Sequence, residues 1–386
     1  MRILHIDTER GWRGGERQVL WLAKELARRG HGSLIAARAG EPLAARARDA
    51  GLKVAECAPA FEADPRAVLA FRRLIAESGV EIVHAHTAHA VGLGALATLG
   101  LEVPLVASRR VDFHLRRNFG TRWKYGRAAA ILAISRAVAE ILESDGIERE
   151  RIAVVPDGTD IHRHIAPAPR EVLASLGIPA GAPLVIQVAQ LVGHKDPLNF
   201  VRAIAAARRR VPVLHALLVG DGPLRIEVGA AVQELELQDT LHLAGYRQDA
   251  DTLLAAANVV VLSSREEGMG SVLLDALLLG KAIAATRAGG IPEVVDDAAT
   301  GLLAPVGDPE TLGRHIAALV ADSTLAARLG RAARLRANDF SVERMTDRTL
   351  AVYERVATRG FPGRDATKRR TDAATRTSSA SSIRAP

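Results

Sequence analysis

Short apolar runs of strand length alternate along this chain with longer segments whose apolar residues recur at helical spacing, and the alternation restarts once. In the first half, strands are predicted at Arg2–Asp7, Ser33–Ala37, Lys53–Cys57, Glu81–His86, Leu105–Ser108, Ala129–Ser135 and Arg151–Val155. Helices are predicted between them at Glu16–Arg29, Leu43–Ala50, Asp64–Ser78, Gly92–Leu99 and Arg136–Asp145, several closed by a glycine. Pro156–Pro183, rich in Pro and Gly around one short helix at Arg170–Leu176, reads as a junction. The pattern then begins again. Strands are predicted at Pro183–Ala189, His215–Val219, Thr240–Ala244, Asn258–Leu262, Lys281–Ala285 and Gly301–Val306. Helices are predicted at Pro197–Arg210, Ile226–Leu235, Asp251–Ala257, Pro309–Asp322, Ser323–Asn338 and Val342–Val356, with a helical turn at Ile291–Val295.

Strands and helices in strict alternation imply parallel βαβ units with helices on both faces of each sheet. The expected class is therefore α/β, with two doubly wound units over residues 1–165 and 166–340. A terminal helix over 341–358 is expected to pack back on the first unit, and residues 359–386, basic and without periodicity, read as a disordered tail. The two units leave a cleft between their strand ends, where open α/β sheets bind ligands.

Composition narrows this picture modestly. A chain of 386 residues, 48% hydrophobic and 25% charged, is an ordinary globular protein with room for two cores. No apolar run approaches a membrane span, and Met1–Ile6 reads as a strand start rather than a signal peptide. The single cysteine, Cys57, excludes an intrachain disulfide and a multi-cysteine metal site and fits a reducing compartment. A formal charge of +7 and a pI near 10.0 suggest an anionic partner.

The stretch Asn258–Lys281 carries the most chemistry. It reads as an apolar strand, a glycine turn over Glu267-Gly268-Met269-Gly270-Ser271, and a helix. Unpaired backbone N–H groups and the positive end of a helix dipole would then lie at a sheet edge, a place suited to phosphate. Gly268 and Gly270 remove side chains where a ligand would approach, and the acids Glu267 and Asp275 suit sugar hydroxyls. Upstream, Lys195 follows a strand at the cleft rim, where an ammonium neutralises phosphate as a point charge. Val219-Gly220-Asp221-Gly222-Pro223 is a strand-end turn, and Ala288-Gly289-Gly290-Ile291-Pro292-Glu293-Val294 another glycine turn.

These motifs, in this order, resemble the second half of the GT-B glycosyltransferases of the retaining family 4, which carries a glutamate, seven residues and a second glutamate. Gly14-Gly15-Glu16-Arg17 resembles that family's N-terminal glycine loop, and Pro156-Asp157-Gly158-Thr159-Asp160 its linker motif. The resemblance covers roughly residues 1–357. It implies a GT-B architecture, two doubly wound Rossmann-like domains facing across a cleft. It also implies transfer of a hexose-type sugar from a UDP-, GDP- or ADP-linked donor to a glycan or lipid-linked acceptor, with retention and without metal or other cofactor. Glu267 would touch donor hydroxyls, the amides of Gly268, Met269, Gly270 and Ser271 would face the diphosphate, Asp275 would hold the ribose, and Lys195 would stabilise the leaving group. Gly14 and Gly15 would approach the diphosphate from the opposite domain, with Gln190 and Gly220 completing the donor site and Glu16 near the acceptor. Cell-envelope polysaccharide or lipopolysaccharide synthesis, in the cytoplasm or at the inner membrane face, fits this class.

Two positions depart from the family. Asp275 is one carbon–carbon bond, about 1.5 Å, shorter than the family's glutamate. Gln190 stands where an arginine is usual, so a diphosphate cation must come from elsewhere. Arg109 and Arg110, at a strand end on the first unit, are candidates for facing the donor phosphate or an anionic acceptor. His86 reads as a polar ligand contact at the cleft and His84 as a core or edge histidine, with no metal expected at His84, His86 and His89. Asp251 reads as a helix cap. Asp112–Arg127 interleaves basic residues with Phe, Trp and Tyr, which suits an anionic membrane surface rather than nucleic acid. No phosphate-loop, dinucleotide or G-x-S-x-G sequence appears, which argues against kinases, dehydrogenases and hydrolases. A GT-B nucleotide-sugar epimerase and a non-catalytic nucleotide-sugar or membrane-binding protein are the alternatives.

Overall fold

The structure is a computed structural model that describes residues 1–359; of the predicted tail only Arg359, the end of the last helix, lies within them. The first sheet holds β1 (Arg2–Asp7), β2 (Gly32–Arg38), β3 (Lys53–Cys57), β4 (Ile82–Ala85), β5 (Leu105–Arg109), β6 (Ala130–Ala133) and β7 (Ile152–Val154). The second holds β8 (Leu184–Val188), β9 (His215–Val219), β10 (Leu241–Gly245), β11 (Val259–Leu262), β12 (Ala282–Thr286) and β13 (Leu302–Ala304). Their orders are β3-β2-β1-β4-β5-β6-β7 and β10-β9-β8-β11-β12-β13, and every pairing is parallel. Strand order reverses between β1 and β4 in one sheet and between β8 and β11 in the other, so each sheet opens a crevice at those strand ends. The central strands are buried throughout, as a sheet covered on both faces requires.

Local signals explain most helix boundaries. Pro65–Ser78 begins at Asp64, whose carboxylate accepts the Arg66 N–H at 2.9 Å, has Pro65 in its first turn, and stops at left-handed Gly79. The helix expected at Gly92–Leu99 starts earlier, at Ala88, because Thr87 caps it by accepting the Ala90 N–H. Asp251 is not the cap of its helix: Asp249 holds that position, and the Asp251 carboxylate is drawn instead to Arg163 at 2.8 Å. Within the basic–aromatic stretch, Asn118 caps a helix at Phe119–Gly126.

The last helix, Val342–Arg359, buries Val342, Met345, Val352, Tyr353 and Val356 against Ile3, Leu22, Leu26, Ile82, Val106 and Leu132 of the first unit. The chain crosses between the units twice, side by side. Thr159 N–H donates to the Phe340 carbonyl at 2.7 Å, and Val342 N–H donates to the Thr159 carbonyl at 3.1 Å.

Candidate active site

The second unit's crevice is built from the loop that links β11 to the helix Ser271–Leu278. Gly270, at φ 81°, turns the chain so that the first amides of this helix open toward the cleft. The loop is held from both sides. A Cβ on Gly268 would stand 2.5 Å from the Arg110 carbonyl oxygen of the first unit, and one on Gly290 would overlap the Gly268 carbonyl. Gly290 N–H also donates to the Glu267 carbonyl at 2.8 Å. Glu267 is buried; its carboxylate pairs with Lys195 Nζ and accepts the Ser264 hydroxyl at 3.1 Å. Met269 turns its side chain into the core, leaving only backbone for a ligand. Gly220 sits at the end of β9, its N–H donating to the Gly245 carbonyl, and the Gln190 side chain is exposed after β8.

The first unit faces this loop with side chains rather than amides. Gly14 opens the helix Gly14–Arg28 and approaches so closely that a Cβ there would lie 2.6 Å from Ser271 Oγ. A Cβ on Gly15 would meet nothing within 4 Å. Glu16 is buried and accepts the Arg13 N–H at 2.7 Å, and burial raises its pKa. Asp7, at the end of β1, is buried beside Glu16; desolvation and that like charge push its pKa up to about 7. Arg110 donates to Asp157 at 3.0 Å and lies 3.4 Å from His86 Nδ1. Arg109 instead turns into the first unit, where it donates to the Phe113 carbonyl.

His86 belongs to a buried group that the sequence did not outline. Parallel register pairs His5 with His84, and one ring nitrogen from each of His5, His84 and His86 lies within 4.8 Å of the other two. His5 Nδ1 meets His86 Nε2 at 3.1 Å, and His84 reaches Tyr353 at 2.6 Å and Ser108 at 2.8 Å. Burial lowers the pKa of His5 to about 3 and holds His84 and His86 well below 6.5, so all three are neutral near pH 7. Both nitrogens of His84 are committed and the Arg110 cation abuts His86, which suits a structural network better than a metal ion. His89 stands apart, against Thr8 at 3.0 Å.

Other contacts close the cleft. Asp275 accepts from Arg17 and from Arg163, each at 2.7 Å. Glu293 accepts the Arg136 and Ala137 N–H groups at 3.0 and 3.1 Å, capping the helix Arg136–Ser144 across the cleft. Phe113 meets His194 edge-on at 5.3 Å between ring centres. Beside this rim, Leu96, Arg109, Phe113, Arg116, Trp123 and Lys124 line a groove of about 640 Å³ on the first unit.

Sequence reasoning named Glu267, Lys195, Gly14 and Ser271, and the structure brings these four to one place. It missed Arg17 as a partner of Asp275, although Arg17 stands inside the quoted glycine motif. Arg163, Asp7 and His5 carried no local signal; Arg163 and His5 acquire their side-chain partners only through the fold, and Asp7, which accepts the Glu9 N–H at 3.0 Å, meets Glu16 there.

Two facing doubly wound units with a glycine loop and helix end at the shared cleft define a GT-B fold. Residues 12–163 match Glycosyltransferase Family 4 and residues 170–336 match Glycosyl transferases group 1. An alpha-maltose-1-phosphate synthase of Mycolicibacterium smegmatis is 31% identical over 310 residues, 72% of this chain and 79% of that protein. The chain belongs to the group 1, family 4 glycosyltransferases. A lipopolysaccharide core biosynthesis glycosyltransferase of Rhizobium meliloti is 31% identical over 235 residues, 60% of this chain; the match spans 66% of that protein, just under two thirds. Anabaena Alr3699/HepE, solved in complex with UDP-glucose, shares the fold with a TM-score of 0.80 at 22% identity, over 92% of this chain and 100% of that one. Among the described residues no helix is long and apolar enough to cross a membrane.

Proposed function

We propose that the protein transfers a sugar from a nucleoside-diphosphate sugar to a glycan or lipid-linked acceptor, with retention of configuration and without a metal. The observation that carries this reading is the convergence of Glu267, Lys195 and the amide end of Ser271–Leu278 on the strand end that Gly14 approaches from the other unit. Negative charge builds on the diphosphate as the glycosidic bond breaks. Helix amides, already in place, and an ammonium stabilise that charge. Lys195, now paired with Glu267, can shift to the phosphate while Glu267 accepts a donor hydroxyl. Among the described residues no side chain stands out as an enzymic nucleophile, so attack by the acceptor hydroxyl on the departing group's own face accounts for retention. Closure of the cleft supplies proximity and excludes water.

The groove on the first unit is the acceptor side in this reading. Its Leu96, Phe113 and Trp123 beside Arg109, Arg116 and Lys124 suit an acceptor with an apolar part and an anionic group. Phe119, 85% exposed beside Arg116, Arg117 and Arg122, suits a peripheral position on an anionic membrane. The Rhizobium relative's role in lipopolysaccharide core synthesis supports an envelope glycan as product. The ligand of the Anabaena structure supports a UDP-sugar donor.

Thermal stabilisation by UDP-, GDP- and ADP-sugars, followed by product analysis with acceptor pools, tests the reading. One sugar nucleotide should stabilise the protein and release its diphosphate only when acceptor is present. Donor isomers formed without acceptor would indicate an epimerase and overturn it. Flotation with anionic liposomes at low salt tests the membrane site separately; no binding would remove it.

A further inference from the structure

The chain lacks a cation at Gln190, and its second acid is already occupied. Asp275 is buried, and both its oxygens accept guanidinium N–H groups: Oδ2 from Arg17 and Oδ1 from Arg163, each at 2.7 Å. Arg163 also donates to Asp251 at 2.8 Å, and Arg17 lies 3.8 Å from that carboxylate. Trp21 supports both, with the guanidinium carbons 4.8 and 5.6 Å from its ring centre. Two cations thus meet two carboxylates at the seam of the first unit, the linker and the second unit.

The position of this cluster follows from the helix pair. Gly14 faces Ser271 so closely that a Cβ would collide with it; Arg17 lies three residues beyond the first and Asp275 four beyond the second. Arg17 is therefore about 4.5 Å along its helix from Gly14, and Asp275 about 6 Å along its own from Ser271, close to one turn in each case. A diphosphate on the amides that open toward the cleft would come within reach of both guanidiniums. Each guanidinium also keeps an Nε–H that is buried without an acceptor. Unmatched buried donors are costly, and a phosphate oxygen is the acceptor that a guanidinium fork fits best.

We propose that Arg17 and Arg163 are phosphate-binding residues for the donor, supplying the charge that is missing at Gln190, and that Asp275 positions them instead of binding the ribose. This rests on the sugar-nucleotide reading above. With its two oxygens committed, Asp275 holds the arginine pair against the helix end, and the shorter side chain suits that task.

The test is isothermal titration of the full chain with UDP, GDP and ADP, then with the nucleoside of whichever binds. Arg17→Ala and Arg163→Ala should each weaken the diphosphate by roughly 10- to 100-fold while changing nucleoside affinity less than about threefold. Should an alanine variant unfold, Arg17→Lys and Arg163→Lys read the same contrast with a smaller loss, because a point charge replaces the fork. Asp275→Asn should also lose diphosphate affinity selectively, and Asp275→Glu should restore part of it. If the arginine variants weaken diphosphate and nucleoside by the same factor, or neither, the proposal is wrong and the cluster only holds the units together. If the wild-type chain binds none of the three diphosphates, the sugar-nucleotide reading fails first, and this one with it.

Discussion

The second unit's wall of the cleft is made of backbone. Its Glu267–Ser271 loop is shaped by glycines whose neighbours leave no room for a Cβ, and it offers amides at a helix end. The first unit's wall is made of side chains. His5, His86, Arg110 and Asp157, from β1, the end of β4, the end of β5 and the linker, contact one another in series in the interior, and Asp7 lies within the field of Arg110. A backbone wall is fixed by sterics and changes little with pH. A side-chain wall stores its shape in protonation states and ion pairs, so pH and single substitutions should act mainly there.

The pH response separates the two walls most strongly. His5, His84 and His86 are neutral when folded, whereas the unfolded chain takes up protons below pH 6.5. Each such group lowers folding stability by about 1.4 kcal/mol per unit of falling pH for as long as it stays neutral in the fold. Asp7 acts oppositely. Its folded carboxyl stays protonated up to about pH 7 while the unfolded one ionises near 3.8, so its contribution is full in acid and shrinks as pH rises between those values. Glu16 and Asp157, whose carboxyls burial also raises, act in the same direction as Asp7, so in denaturation curves these acids offset part of the climb in stability with rising pH that the three imidazoles impose below pH 6.5. His84→Gln should flatten that climb. An unchanged slope would mean that these rings are not buried neutral in solution.

On the backbone wall, Gly290→Ala should cost roughly 3 kcal/mol by chemical denaturation at any pH, since the added carbon meets the Gly268 carbonyl. On the side-chain wall, Arg110→Ala leaves Asp157 buried without its cation and should cost roughly 2 kcal/mol, more at pH 8 than at pH 5. The sign follows from the raised Asp157 carboxyl, which can take up a proton in acid once its partner is gone. Arg109→Ala should leave donor affinity unchanged, because that guanidinium faces the groove, and should raise the acceptor KM about tenfold. Gly15→Ala should change stability by no more than about 0.5 kcal/mol, because its Cβ would point into open space.

The same contrast explains what could be read from the chain. Asn258–Leu262 is an unbroken apolar run, and glycines at 268 and 270 precede a helical pattern; strand, turn and helix each write a local signature. The two-unit plan was legible for the same reason. Arg17 and Asp275 lie 258 positions apart, and His84 finds Tyr353 across 269, so no window of sequence contains either pair. Asp251 was mistaken for a cap because local spacing offered that role, whereas the folded chain brings Arg163 to it. Glu293 shows the same limit in reverse: its motif was visible, but the helix it caps belongs to the other unit.

The central claim is that the helix end and Lys195 stabilise a departing diphosphate. It is tested most directly by the rate of diphosphate release from the stabilising nucleotide sugar, at saturating donor and acceptor, in wild type and Lys195→Ala. The account predicts a fall of about 100- to 1000-fold with the fold intact by circular dichroism. A Lys195→Ala protein that releases diphosphate at the wild-type rate would contradict it.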